Sequence, residues 1–143
     1  MRGQRGFLAT FASMRGRSLC ALGRHDEAEP LARLGRELGD EQDASTQALW
    51  RQVQALIDAS HGRHREAELL AREAVAITER TDALNWQSDA LCDLAQVLHA
   101  AGRSDEAEAA LAQALERYQY KNNLAMAAQV RDRLAELHDA APR

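Results

Sequence analysis

Apolar residues recur along this chain at spacings of three and four, the period of a helix that turns one face to a core. Phe7, Phe11, Met14, Ser18 and Leu22 mark one stripe. Leu49, Val53, Leu56, Ile57 and Ser60 mark a second, and Leu91, Leu94, Ala95, Leu98 and Ala101 a third. Each stripe stops at a glycine, Gly23, Gly62 or Gly102. Glycine reaches the left-handed backbone conformation that closes a helix without steric cost. An acidic run follows each glycine: Glu27 and Glu29, Glu66 and Glu68, then Asp105, Glu106 and Glu108. Such residues suit the positive end of the next helix. Ser104 fits an N-cap, while His25 and His64 at the same repeat position are poorer caps. The pattern predicts helices over residues 6–22, 26–38, 44–61, 65–80, 83–101, 104–119 and 123–138. Gly39–Asp43, Thr81-Asp82 and Lys121–Asn123 form short polar breaks between them. Pro30 is placed in about the first turn of its helix, where few backbone donors are committed.

The glycines open three near-copies of one phrase: Gly23-Arg24-His25-Asp26-Glu27-Ala28-Glu29, Gly62-Arg63-His64-Arg65-Glu66-Ala67-Glu68 and Gly102-Arg103-Ser104-Asp105-Glu106-Ala107-Glu108. From glycine to glycine they lie 39 and then 40 residues apart. A fixed period of this size marks a repeat array whose units stack to share a core. The expected organisation is one domain, 1–143, with units at about 6–39, 44–81 and 83–120 and a closing helix at 123–138.

The phrase resembles the tetratricopeptide repeat, a pair of antiparallel helices with small residues at set places. The small residue of the first helix matches Gly16, Ala55 and Ala95, and the turn glycine matches Gly23, Gly62 and Gly102. The two small positions of the second helix match Ala28, Ala67 and Ala107, then Gly35, Ala74 and Ala114. The resemblance implies an all-α, right-handed solenoid of helix hairpins that binds a protein or peptide partner. This repeat is longer than the family's usual length of about 34 residues, and the family's helix-ending proline is missing from every unit. The large aromatics are displaced, although Phe11 and Trp50 share one repeat position and Phe7 and Trp86 another. The long, alanine-rich style is similar to the C-terminal arms of bacterial signalling ATPases, nucleotide cyclases and transcriptional regulators. That likeness implies a non-catalytic scaffold or regulatory module, a fragment or arm of a larger protein. The other reading it leaves is a sensor domain for a peptide or small effector.

Composition narrows the partners. The 143 residues are enough for one core without staples. The net charge of −4 and the scattered bases speak against nucleic acid as a partner. Lys121 is the single lysine among 18 basic residues, a bias we read as that of a GC-rich genome. Cys20 and Cys92 are isolated, which fits reduced thiols in the cytoplasm. Arg2 and Arg5 ahead of the apolar run Phe7–Met14 resemble the start of a signal peptide, but Arg15 and Arg17 cut that run short. No stretch approaches the ~20 apolar residues of a membrane span, so no membrane partner is expected.

Candidate chemistry is thin. His61 and His64 flank the second turn without the further ligands zinc needs, so both read as solvated turn residues. His25, His99 and His138 stand alone. Neither cysteine has a base and an orienting group beside it in sequence, so both read as small core residues. No phosphate loop, zinc-protease helix, nucleophile elbow or calcium loop occurs. No enzyme activity, catalytic residue, metal or cofactor is expected.

The resemblance places a partner groove on the first helix of each unit. It points to Thr10, Ser13 and Arg17, then Gln52 and Leu56, then Asp89, Cys92, Asp93, Gln96 and His99, with Gln129 and Asp132 from the closing helix. The plain alternative is that these are the solvated side of those helices. The lysine, asparagine and arginine set with which some relatives clamp a peptide's terminal carboxylate is absent. Arg17 alone matches in type, while Asp89 and Asp93 carry the opposite charge. The first helix also starts with Phe7, Leu8 and Phe11 on its stripe and no polar cap before it. It is expected to pack on a neighbouring domain or on a second copy, giving a homodimer through exposed terminal helices.

Overall fold

The computed structural model describes residues 2–140 of the chain. They form seven helices and, among the described residues, no strand. The helices are α1 (Arg2–Ala21), α2 (His25–Leu38), α3 (Ala44–Ser60), α4 (His64–Glu79), α5 (Leu84–Ala100), α6 (Ser104–Tyr120) and α7 (Leu124–Ala140). The architecture is the all-α helical repeat that the periodic pattern predicts. Helix α1 begins four residues earlier than expected, and most other ends move by one or two.

The three turn glycines have φ of +76°, +78° and +79° at Gly23, Gly62 and Gly102. In each turn the glycine amide and the next amide close back on the helix. Gly102 N donates to the His99 carbonyl and Arg103 N to the Leu98 carbonyl, both at 2.9 Å. This paired closure satisfies carbonyls that the helix end would otherwise leave open. The fourth junction uses Asn122, with φ of +59°, and Asn123 N donates to the Tyr118 carbonyl at 2.8 Å. Asparagine tolerates that conformation better than most side chains. Gly102→Ala is therefore expected to cost about 1 kcal/mol, measured as a lower urea midpoint with an unchanged slope.

The expected caps shift by one residue: His25 and His64 are the first residues of α2 and α4, with Arg24 and Arg63 in the cap positions. Ser104 is the first residue of α6, not its cap; Arg103 holds the cap position and makes no side-chain cap hydrogen bond. Its guanidinium instead binds the first-turn acid, with Nε 2.5 Å and Nη2 2.8 Å from the Glu106 carboxylate. Arg24 and Glu27 repeat this pairing at the start of α2. Pro30 is the sixth residue of α2, in its second turn, and remains in an unbroken helix. The carbonyl that loses its helical donor belongs to Asp26, an exposed residue.

The predicted small positions carry the packing. Ala28, Ala67, Ala107, Ala74, Ala114 and Ala55 are all fully buried. A Cβ on Gly35 would overlap Ser13 Oγ and lie 3.1 Å from Trp50 Cβ, so α1 and α3 close on α2 there only because Gly35 lacks one. Helix α3 also packs on both α1 and α5, whereas α2 and α4 each sit between two of these three helices and α6 sits between α5 and α7. The first helices of the units therefore form the inner, concave layer. Its core side includes Val53, Ile57, Val97 and Leu98, with Leu111, Tyr118 and Val130 from the later helices. Each such aliphatic side chain stabilises the fold by about 1.5–3 kcal/mol.

The last glutamate of the repeat phrase ties units together. Glu68 on α4 accepts Arg72 at 2.8 Å and also pairs with Arg103 of the next unit. These arginines hold the Glu68 carboxyl below its ordinary range, Arg103 first. Glu108, at the same repeat position, lies 2.8 Å from His138 Nε2 on α7.

Helix α1 carries an exposed apolar stripe. Phe7 and Phe11 stack with centroids 6.2 Å apart, and Leu8 and Met14 extend the stripe. Phe11 is 62% exposed, while Trp50 at the same repeat position is 7% exposed, seated against α2 with the guanidinium of Arg51 4.4 Å from its ring.

Candidate functional site

The concave layer holds an open-sided cavity of about 610 Å³, lined from α1, α3, α5 and α7, with Thr78 from α4. Its polar centre is built by three helices. Arg17 on α1 donates from Nε to Asp93 Oδ2 at 2.8 Å and from Nη2 to Asp93 Oδ1 at 3.0 Å. Gln52 on α3 donates to the same Oδ2 at 2.9 Å. Asp93 thus takes a two-pronged arginine and an amide, the geometry that makes charge-assisted pairs strong. The Asp93 side chain is 7% exposed and that of Arg17 30%. Proximity to Asp93 holds the Arg17 guanidinium's pKa above its ordinary value.

One turn earlier on α5, Asp89 accepts the hydroxyl of Tyr118, which reaches across from α6. Burial, with no cation bound directly to it, raises the Asp89 carboxyl above its ordinary 3.8. Burial and the bond to Asp89 also raise the Tyr118 hydroxyl. Because the folded value of Asp89 exceeds the unfolded one, its contribution is greatest below pH 3.8 and is lost as pH rises through the folded value. Asp89→Asn keeps an acceptor for Tyr118 and removes this loss. The variant is expected to gain stability relative to the parent as pH rises from 4 to 7, read from paired urea midpoints. A parent that gains equally on the variant across that range would contradict it.

The groove residues named from the sequence divide by helical phase. Thr10, Arg17, Gln52, Leu56, Asp89, Cys92, Asp93, Gln96 and Gln129 all line the cavity. Ser13 does not: it is fully buried, donates to the Ala9 carbonyl at 2.8 Å and fills the hollow over Gly35. His99 and Asp132 are exposed away from it. In place of Asp132 the lining has Arg133, which stands four residues after Gln129 and so on the same face of α7. Met14, Trp86 and Met126 form apolar wall that the sequence reading left out, and Tyr118 was missed because it comes from the second helix of its unit. The signal available for Trp86 and Arg133 was their spacing of three and four from Asp89 and Gln129.

Burial pushes both thiols, Cys20 and Cys92, up to about 11, which keeps them protonated and poorly nucleophilic near neutrality. His61 lies 3.7 Å from Asp26, and His64 is solvated. Among the described residues no three histidines, cysteines or acids are grouped to hold a metal ion. Nor is any helix among them long and apolar enough to cross a membrane.

No curated protein and no solved structure matches the chain. A family model described as Tetratricopeptide repeat matches residues 88–119. That segment covers most of the α5–α6 hairpin, with Asp89, Asp93, Gly102 and Tyr118 inside it. The match, on a chain of stacked helix hairpins, supports a tetratricopeptide-like family.

Proposed function

We propose that this chain is a non-catalytic protein-interaction module whose concave layer holds a segment of a partner protein. Repeats of the tetratricopeptide kind generally mediate protein–protein contacts. The observation that carries the reading is the cavity itself. It combines apolar wall from Met14, Leu56, Trp86 and Met126 with the side-chain amides of Gln96 and Gln129, which have no hydrogen-bond partner among the described residues. Glutamine amides pair with both groups of a peptide backbone, and the apolar wall takes side chains. The groove residues in this reading are Thr10, Arg17, Gln52, Leu56, Asp89, Asp93, Gln96 and Gln129, with Trp86, Met126 and Arg133 added.

The setting we propose is a cytoplasmic arm of a larger bacterial signalling protein, one domain of three hairpin units and a closing helix. A photo-crosslinking residue at Gln96, expressed in the source cell, should yield discrete protein adducts that a crosslinker at Arg65 on the opposite face does not. Adducts from Arg65 alone would overturn the reading. The sensor alternative is favoured by the size of the cavity, about 610 Å³, which falls in the range of small-molecule sites. It predicts thermal stabilisation by a metabolite or short peptide, growing as RT ln(1 + [L]/Kd). The open stripe of Phe7, Leu8, Phe11 and Met14 supports self-association, which sedimentation over rising concentration would reveal and a strictly monomeric chain would exclude.

A further inference from the structure

Four charged side chains line the cavity: Arg17, Asp89, Asp93 and Arg133. Two of them satisfy each other, since Arg17 and Asp93 share two hydrogen bonds and Gln52 takes a further site on Asp93. Asp89 and Arg133 are different. Among the described residues neither takes part in an ion pair. Asp89 has the neutral hydroxyl of Tyr118 as its hydrogen-bond donor, and the charge of Arg17 reaches it only through space. They belong to α5 and α7, the two inner helices with an opening between them. Helix α7 packs on α6 and makes no contact with α5 comparable to that of α5 with α3. The Trp86 ring, 46% exposed, lines the cavity one helical turn before Asp89.

We propose that the opening between α5 and α7 takes a partner segment of paired opposite charge. A lysine or arginine side chain is seated on Asp89 against the Trp86 ring, and a carboxylate is seated on Arg133. The inference rests on the groove reading above and names what that groove selects. A carboxylate and an aromatic ring on one cavity wall suit a cation, which gains from both the charge and the ring quadrupole. Arg133 offers a planar fork that matches a carboxylate. The internal pair of Arg17 and Asp93 contributes no net charge, so selection falls to the two unpaired groups. Burial already disfavours the Asp89 charge, so a cation there relieves a cost present in the free protein.

The test uses blocked nonapeptides, acetylated and amidated, on a neutral serine, alanine and leucine background. One series carries a lysine and a glutamate separated by one to four residues; controls carry one charge or none. Calorimetric titration of the full chain should show one doubly charged peptide binding about tenfold tighter than its controls. Asp89→Asn should remove the lysine preference and keep the glutamate preference. Arg133→Gln should do the reverse, and Asp89→Glu should retain the lysine preference, with thermal melts confirming that each variant is folded. Charged peptides that bind no better than neutral ones would overturn this inference and leave the groove reading standing. Binding by no peptide at all would overturn both. Free lysine or glutamate binding where the blocked peptides do not would replace the partner segment by a small zwitterion, and so overturn it as well.

Discussion

Replacing Asp93 by alanine is expected to destabilise the fold by about 3 kcal/mol, the lower part of the range for breaking a buried ion pair. The variant leaves Arg17 inside the concave layer without its countercharge, and Gln52 without its acceptor. The Arg17 side chain is partly reached by solvent, which is why the upper part of the range does not apply. Domains of this size have roughly 5–15 kcal/mol in total, so the loss should appear as a large drop in the urea midpoint. The double variant Arg17→Met, Asp93→Leu should recover most of it, because apolar residues of similar volume commonly replace a buried pair at little cost. A loss below ~1 kcal/mol in the single variant would show that the pair is solvated in practice. A double variant as weak as the single would place the cost in packing.

Replacing Tyr118 by alanine is expected to cost about 3–5 kcal/mol. Tyr118 is fully buried, belongs to the main core and joins α6 to the cavity edge on α5. Tyr118→Phe separates its two contributions. It keeps the ring and removes the hydroxyl that Asp89 accepts, and should cost about 1–2 kcal/mol. Performed on the Asp89→Asn background, the same change should cost less, since a neutral acceptor loses less than a buried carboxylate. Chemical unfolding of the four variants gives the coupling directly. Equal costs on both backgrounds would mean that the hydroxyl does not hold the Asp89 charge.

Much of the fold was legible because its signals are local. The Gly23, Gly62 and Gly102 turns follow from one residue type at one backbone conformation. The same holds for Ala67 or Ala107, where a small side chain lets two helices meet. The Asn122 turn was less visible, since asparagine enters many loops for other reasons. Ser104 was misplaced as a cap because Arg103 and Glu106 already engage each other at that start.

The site was legible in part, through helical phase. Arg17, Gln52 and Asp93 fall on one face of successive first helices, but nothing in their spacing says that they bond to one another. Ser13 occupies a similar phase and is buried, because the missing Cβ of Gly35 draws α2 against it. Asp132 and Arg133 differ by one residue, about 100° around α7, and that rotation decides which one enters the cavity.

The sequence by itself determined the helices, their glycine turns, the repeat and the small residues between the layers. All of these depend on contacts within a unit or between adjacent units, and these recur with the period. Only the tertiary structure decided that Asp93 is bonded from α1 and α3, that Tyr118 holds Asp89, and that Arg133 lines the cavity with no ion pair among the described residues. These pairings span 76 residues from Arg17 to Asp93 and 29 from Asp89 to Tyr118. They arise from unrepeated side chains whose separation is set by how the units stack, a quantity that no local pattern carries.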